Sequence, residues 1–341
     1  MTPKKTNAPF INQCATTRRD FLKTAVVGSL AYGAAARTED MAALAASIPA
    51  AAFQRRKSKA ETLVAAFHRS LTEAQKQVVA FDFNHPLQSK VDNNWRITRP
   101  LISEFFTRDQ QAMVEEIFRC MHNPAYIEQV MRHIEDDGGN LGNYSVALFG
   151  QPGTGQFEFV LTGRHCTMRC DGDSVEGAAF GGPIFYGHDA GGGTEKPNHP
   201  GNVYWYQAKR ANEVFNALDG KQRAQALLGD PRREQATQTV ELKTRKEELA
   251  GLPVAELSRD QKELVEKVLA DLLLPFRRED VDEALGYIKK RGGVDSLSLS
   301  FYRNLDLGND NVWDVWQLES RNMLWYFRGN PHVHVWVNIR S

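Results

Sequence analysis

Apolar residues first recur at helical spacing, then switch to the short period of strands, and each pattern later returns. In the segment 61–69, Leu63, Ala66 and Phe67 share one stripe of a helix. Thr72-Glu73-Ala74-Gln75 sets a threonine three residues ahead of a glutamine, the arrangement of a reciprocal capping box, and predicts a second helix toward Phe83. The same device stands at Thr107-Arg108-Asp109-Gln110, before Met113, Ile117 and Met121, and at Ser258-Arg259-Asp260-Gln261, before a helix running to Leu274. Pro124 opens a further helix carrying Tyr126, Val130 and Ile134, which stops at Gly138-Gly139.

At Tyr144 the period changes. Residues 144–149, 157–162 and 164–170 read as short strands divided by Gln151-Pro152-Gly153-Thr154-Gly155 and by Gly163. A glycine-rich stretch, 177–201, follows and reads as a long surface loop. It lacks the Lys-Ser/Thr of a phosphate-binding loop. Helix is expected again over 203–228 and 280–290. The charge-dense stretch 230–267 is expected to be an exposed helical excursion. Four more strands are predicted over 296–302, 312–318, 323–328 and 333–339. The resulting fold class is α+β: a single domain over residues 60–341, with antiparallel β-meanders packed with several α-helices.

The 341 residues carry 42 Lys+Arg against 42 Asp+Glu, with 42% hydrophobic content. A zero formal balance argues against nucleic acid as a partner, which would require a basic excess. Downstream of the N-terminus there is no apolar run of about 18 residues, so no stable membrane insertion is expected there. Thr17-Arg18-Arg19-Asp20-Phe21-Leu22-Lys23 matches the twin-arginine export pattern residue for residue. A mildly apolar stretch then leads to Ala34-Ala35-Ala36, small residues suited to a peptidase. The segment 1–36 is therefore expected to be a signal peptide cut after Ala36, and 37–59 a flexible leader. The twin-arginine translocase and signal peptidase are the expected partners, and the destination is periplasmic or secreted. Removing 1–36 leaves 37 basic against 41 acidic residues, a mildly acidic mature chain. Cys166 and Cys170, four apart on a strand, would lie about 13 Å apart, too far for a disulfide that needs less than about 7 Å.

Several segments together resemble the domain of unknown function 3500 family: Leu71-Thr72-Glu73-Ala74-Gln75, Trp95 and Arg99, the run 144–150, Gly163-Arg164-His165, and Trp325-Tyr326-Phe327-Arg328-Gly329. The resemblance covers roughly residues 60–341. Many relatives carry paired histidines where this chain has Arg164-His165, and Pro331-His332-Val333-His334 looks like the mark of one branch. The resemblance implies a shared fold and export. It implies no reaction.

The sharpest chemical signal is His332-Val333-His334. Residues two apart on a strand point the same way with Cα atoms about 6.6 Å apart, so both imidazoles can reach one ion. His165, expected in a strand of the same sheet, is the candidate third ligand. His188 on the glycine-rich loop is a candidate fourth ligand or general base, and Glu158 a candidate acid–base residue. Three histidines suit a divalent Zn, Cu or Fe ion with one position open, and so a hydrolase or an oxidoreductase. The bland reading also stands: such a pair is often two ordinary histidines hydrogen-bonded to backbone. The alternative function is a cofactor-free module holding a glycan or other small ligand in a cleft lined by Trp313, Trp316, Trp325, Trp336, Tyr326 and Phe327. A third reading assigns partner binding to the charged excursion.

Overall fold

The computed structural model describes residues 59–308 and 310–341. The expected signal peptide, and the leader apart from Lys59, lie outside the described residues. The described residues form one compact unit of the α+β class.

In chain order come helices α1 (Lys59–Ser70) and α2 (Glu73–Val79), strand β1 (Ala80–Phe81), and helices α3 (Ile102–Phe105), α4 (Arg108–Cys120) and α5 (Ile127–Gly138). Next are strands β2 (Ser145–Gly150), β3 (Phe157–Gly163), β4 (Cys166–Cys170) and β5 (Ile184–His188). Helices α6 (Trp205–Ala217) and α7 (Gly220–Ala226) lead to strands β6 (Leu227–Leu228) and β7 (Leu252–Pro253), then α8 (Arg259–Leu273) and α9 (Arg278–Lys290). Strands β8 (Ser298–Tyr302), β9 (Val315–Glu319), β10 (Met323–Arg328) and β11 (Val333–Ile339) complete the described elements.

All three predicted capping boxes form. The Thr72 hydroxyl accepts from Gln75 N at 3.2 Å while the Gln75 side chain accepts from Thr72 N at 3.0 Å. Thr107 with Gln110 and Ser258 with Gln261 repeat the exchange. The first two boxes are also tied to each other. Gln75 Nε2 donates to Gln110 Oε1 at 2.9 Å and Gln110 Nε2 to Ser70 O at 2.8 Å, so the start of α4 is locked against the end of α1. A fourth box, Asp219 with Gln222, divides the single helix expected over 203–228 into α6 and α7.

The strands form one eleven-stranded sheet in the order β1-β2-β3-β4-β5-β11-β10-β9-β8-β6, with β7 beside β8. Both meanders are antiparallel as expected, but the sheet as a whole is mixed, because β1 runs parallel to β2 and β6 parallel to β8. The meanders are halves of one sheet, joined where β5 pairs with β11. This join corrects the reading of 177–201 as a surface loop. Every residue of β5 is buried, so it shows no alternation, and glycine clusters on either side disguise it.

The charged stretch also departs from expectation. Between Leu228 and Ser258 there is no α-helix among the described residues, only β7 and three short 3-10 turns. Pro231, Gly251 and Pro253 interrupt any helix, and the stretch is pinned inward by Val240, which is 2% exposed in a cluster with Phe185, Tyr326 and Trp336. Cys166 and Cys170 are free, buried thiols.

Candidate functional site

The site lies where the two meanders meet. His165 occupies the two-residue turn between β3 and β4, closed by the pair Gly163 and Cys166, rather than the strand in which it was expected. It holds φ at 51°, a conformation that side chains other than glycine seldom adopt. Backbone bonds fix it: its N–H donates to Asn93 O at 2.9 Å and its carbonyl accepts from Gly187 N at 3.2 Å. Gly163 is required beneath the turn, since a Cβ there would stand 2.2 Å from the Tyr144 ring, whose hydroxyl donates to Arg164 O at 2.8 Å.

His332 immediately precedes β11, and His334 is opposite Gly187 on β5 and Arg328 on β10. Gly187 keeps the two central strands together, because a Cβ there would approach Val333 O to 2.3 Å.

The three rings converge. His332 Nε2 is 3.0 Å from His165 Nε2 and 3.0 Å from His334 Nε2, and the three candidate ligand atoms lie within 4.8 Å of one another. Donors bound at about 2.0–2.1 Å to one tetrahedral ion are themselves about 3.3 Å apart, so two edges of the triangle approach the spacing of a shared ion. The sequence-based triad is brought together.

The opposite nitrogen of each ring faces an oxygen. His165 Nδ1 donates to the Asp137 carboxylate, His332 Nδ1 to Gly193 O at 2.9 Å, and His334 Nδ1 to Glu234 Oε2 at 2.8 Å. A carboxylate or carbonyl only accepts, so in the neutral ring the Nδ1 carries the proton. Every Nε2 then presents a lone pair, and three lone pairs point at one another. Burial favours the neutral form of two of them: it pushes His334 down to about 3 despite Glu234, and lowers His332 as well.

The outer groups are themselves supported. Burial would raise the Asp137 carboxyl, but His165 and Arg164 outweigh it and hold the group at about 2. Arg164 Nε donates to Asp137 Oδ1 at 2.7 Å and its Nη2 reaches Asp189 at 3.4 Å. Glu234 is lowered in the same way, burial being overcome by His334 and Arg328.

His188 does not join the triad. It is part of β5, its ring packed on that of His133 with centroids 4.9 Å apart. Glu158 is fully buried against Arg169, with Oε1 accepting from Nη1 at 2.6 Å. Arg169 also donates to Pro183 O, Gln88 O and Lys90 O. This network ties strands to a loop, and Glu158 has no bond to the three histidines. Of the six aromatics expected to line a cleft, Trp316, Trp325, Trp336, Tyr326 and Phe327 are 0% exposed and form core, while Trp313 is half-buried against Phe215.

Asp137, Gly193 and Glu234 were not singled out from the sequence. One signal existed for Asp137. Asp136 and Asp137 end α5, where the helix dipole disfavours negative charge, so they serve something other than the helix. Glu234 lies among many charges of a stretch without periodicity, and nothing there distinguishes it.

Among known families, residues 54–320 match the model described as Protein of unknown function (DUF3500). No curated protein and no solved structure matches the chain.

Proposed function

The chain belongs to this family of proteins of unknown function, and we propose that it binds one divalent transition-metal ion through His165, His332 and His334. One observation carries the reading: three imidazoles bring their Nε2 atoms toward a common point while each Nδ1 is held by an oxygen. Neutral lone pairs facing one another repel, and a shared cation removes that repulsion. Oriented Nδ1–H groups of this kind raise ligand basicity and fix ring direction in metal centres generally.

Three neutral imidazoles leave the full charge of the ion and a fourth position for water or substrate. Imidazole donors suit Zn, Cu or Fe. Zinc would support hydrolysis through an activated water, and copper or iron would support an oxidoreductase. His332, the most exposed of the three, is the side from which the fourth position would be reached.

Elemental analysis of the protein purified after native export tests the reading. About one ion per chain is expected, lost on His332→Ala with the fold retained. Metal-free protein that also takes up no Zn, Cu or Fe on incubation would overturn it.

We also propose that the protein works outside the cytoplasm, periplasmic or secreted, after carriage by the twin-arginine translocase and cleavage by signal peptidase. The support is the match over residues 17–23. Replacing Arg18 and Arg19 by lysine should retain the protein inside the cell, and unchanged fractionation would remove the proposal.

A further inference from the structure

Between β5 and α6 the chain makes an excursion whose polar anchors are buried and whose tip is not. Asp189 and Glu195 are buried, whereas every residue from Ala190 to Thr194 is exposed. Asp189 Oδ1 accepts from Gly191 N at 3.0 Å, and its Oδ2 accepts from Arg164 Nη2 at 3.4 Å. Glu195 is tied more firmly. Its N–H donates to Pro331 O at 2.7 Å, its Oε1 accepts from Ala190 N at 3.2 Å and from Asn202 Nδ2 at 2.8 Å, and its Oε2 accepts from His199 Nδ1. Two fixed feet hold a five-residue arch.

The arch itself is loosely held. Ala190 and Gly192 border a cavity of about 300 Å³ instead of packing on the core. Gly192 and Gly193 hold φ at 75° and 120°, yet a Cβ on either would meet nothing within 4 Å. Glycine is needed there for backbone conformation, not for space. With Gly191 they make three glycines in a row, a stretch that swings at little steric cost, as a hinge must. One hydrogen bond joins the tip to the triad: Gly193 O accepts from His332 Nδ1 at 2.9 Å. When the tip lifts, Asp189 Oδ2, 3.9 Å from the same nitrogen, stands by as a replacement acceptor, so opening does not strand the donor.

We propose that residues 190–194 are a hinged flap over His332 that opens to admit and release the occupant of the triad. What passes the flap rests on the metal reading; the motion itself does not.

The double variant Gly192→Ala/Gly193→Ala tests it. Both methyl groups have open space, so the fold is spared, but side chains resist these φ values and the closed form loses ground to the open one. In the metal-free full chain, carbethoxylation of His332 by diethyl pyrocarbonate, mapped by mass spectrometry, should run about three- to tenfold faster than in the wild type. His85, on the 82–90 loop, should react equally in both proteins. Equal rates at His332, or the same acceleration at both histidines, would overturn the flap. Zinc then separates a gate from a mere support for the His332 ring. A gate speeds uptake and release together, about three- to tenfold in stopped flow against a chromogenic chelator. A support would speed release alone, and that result would also overturn the proposal. A chain that takes up no zinc ends the metal reading, while the His332 rates still decide the flap.

Discussion

Glu234 Oε2 accepts from His334 Nδ1 at 2.8 Å across a hundred residues of chain, and its other oxygen lies 3.2 Å from Arg328 Nε. The carboxylate thus sets both the tautomer of His334 and the direction of its ring. Glu234→Gln should keep the shape but lose the charge, and Glu234→Ala should free the ring. Both should weaken zinc binding about 10- to 100-fold with the fold intact, as removing such an outer partner does in metal centres. Competition against a chromogenic chelator measures the loss, and an unchanged affinity in both variants would deny Glu234 this part.

Gly187 is required by distance. In Gly187→Ala the new Cβ would meet Val333 O at 2.3 Å, and both strands are backbone-locked at the sheet centre. The change should destabilise the protein by about 1–3 kcal/mol, as overpacking does. It should also lower metal affinity, because His334 is the residue directly opposite. Urea unfolding with a parallel metal titration separates the two effects.

A bound ion should stabilise the fold by mass action. At free metal about 100 times the dissociation constant the gain is about 2.7 kcal/mol. Chelation should therefore lower the unfolding midpoint of the wild type and leave that of His332→Ala unmoved. A midpoint indifferent to metal in both proteins would contradict ligation in the native state.

Away from the triad, His199 sits fully buried between Glu195 and Asp314. Burial pulls its pKa down, but the hydrogen bonds and charges of Asp314 and Glu195 prevail and push it up to about 9 from 6.5. A raised folded-state value means the protonated ring favours folding. That contribution is complete below about 6.5 and is lost as pH rises through about 9. Unfolding free energy measured across this window should fall for the wild type and fall less steeply for His199→Gln.

The legible parts of the chain were those written in local code. Capping boxes at Thr72, Thr107 and Ser258 depend on residues three apart, and the strands 323–328 and 333–339 emerge with the predicted bounds. His332 and His334 were legible as a pair because a strand forces alternate residues to one side. The convergence with His165 was inferable from shared sheet membership, although its place in a turn at φ 51° was not. Strand β5 was hidden because burial on both faces erases the two-residue period. Glu234 and Asp137 were hidden because their partners are distant in sequence, and a single acidic residue leaves no periodic trace. His188 was read as a loop residue available as fourth ligand or general base, whereas it is a buried residue of β5 packed on His133, a placement hidden for the same reason as the strand itself.

Strand β11 is the last of the eleven strands in chain order, yet it lies between β5 and β10 near the middle of the sheet. One donor of the triad belongs to the first meander and two arrive with β11, 167 residues later. Neither half alone can present the complete set. Cation capture would thus report that the two halves have zipped together, turning a coordination event into a proofreading signal for finished assembly.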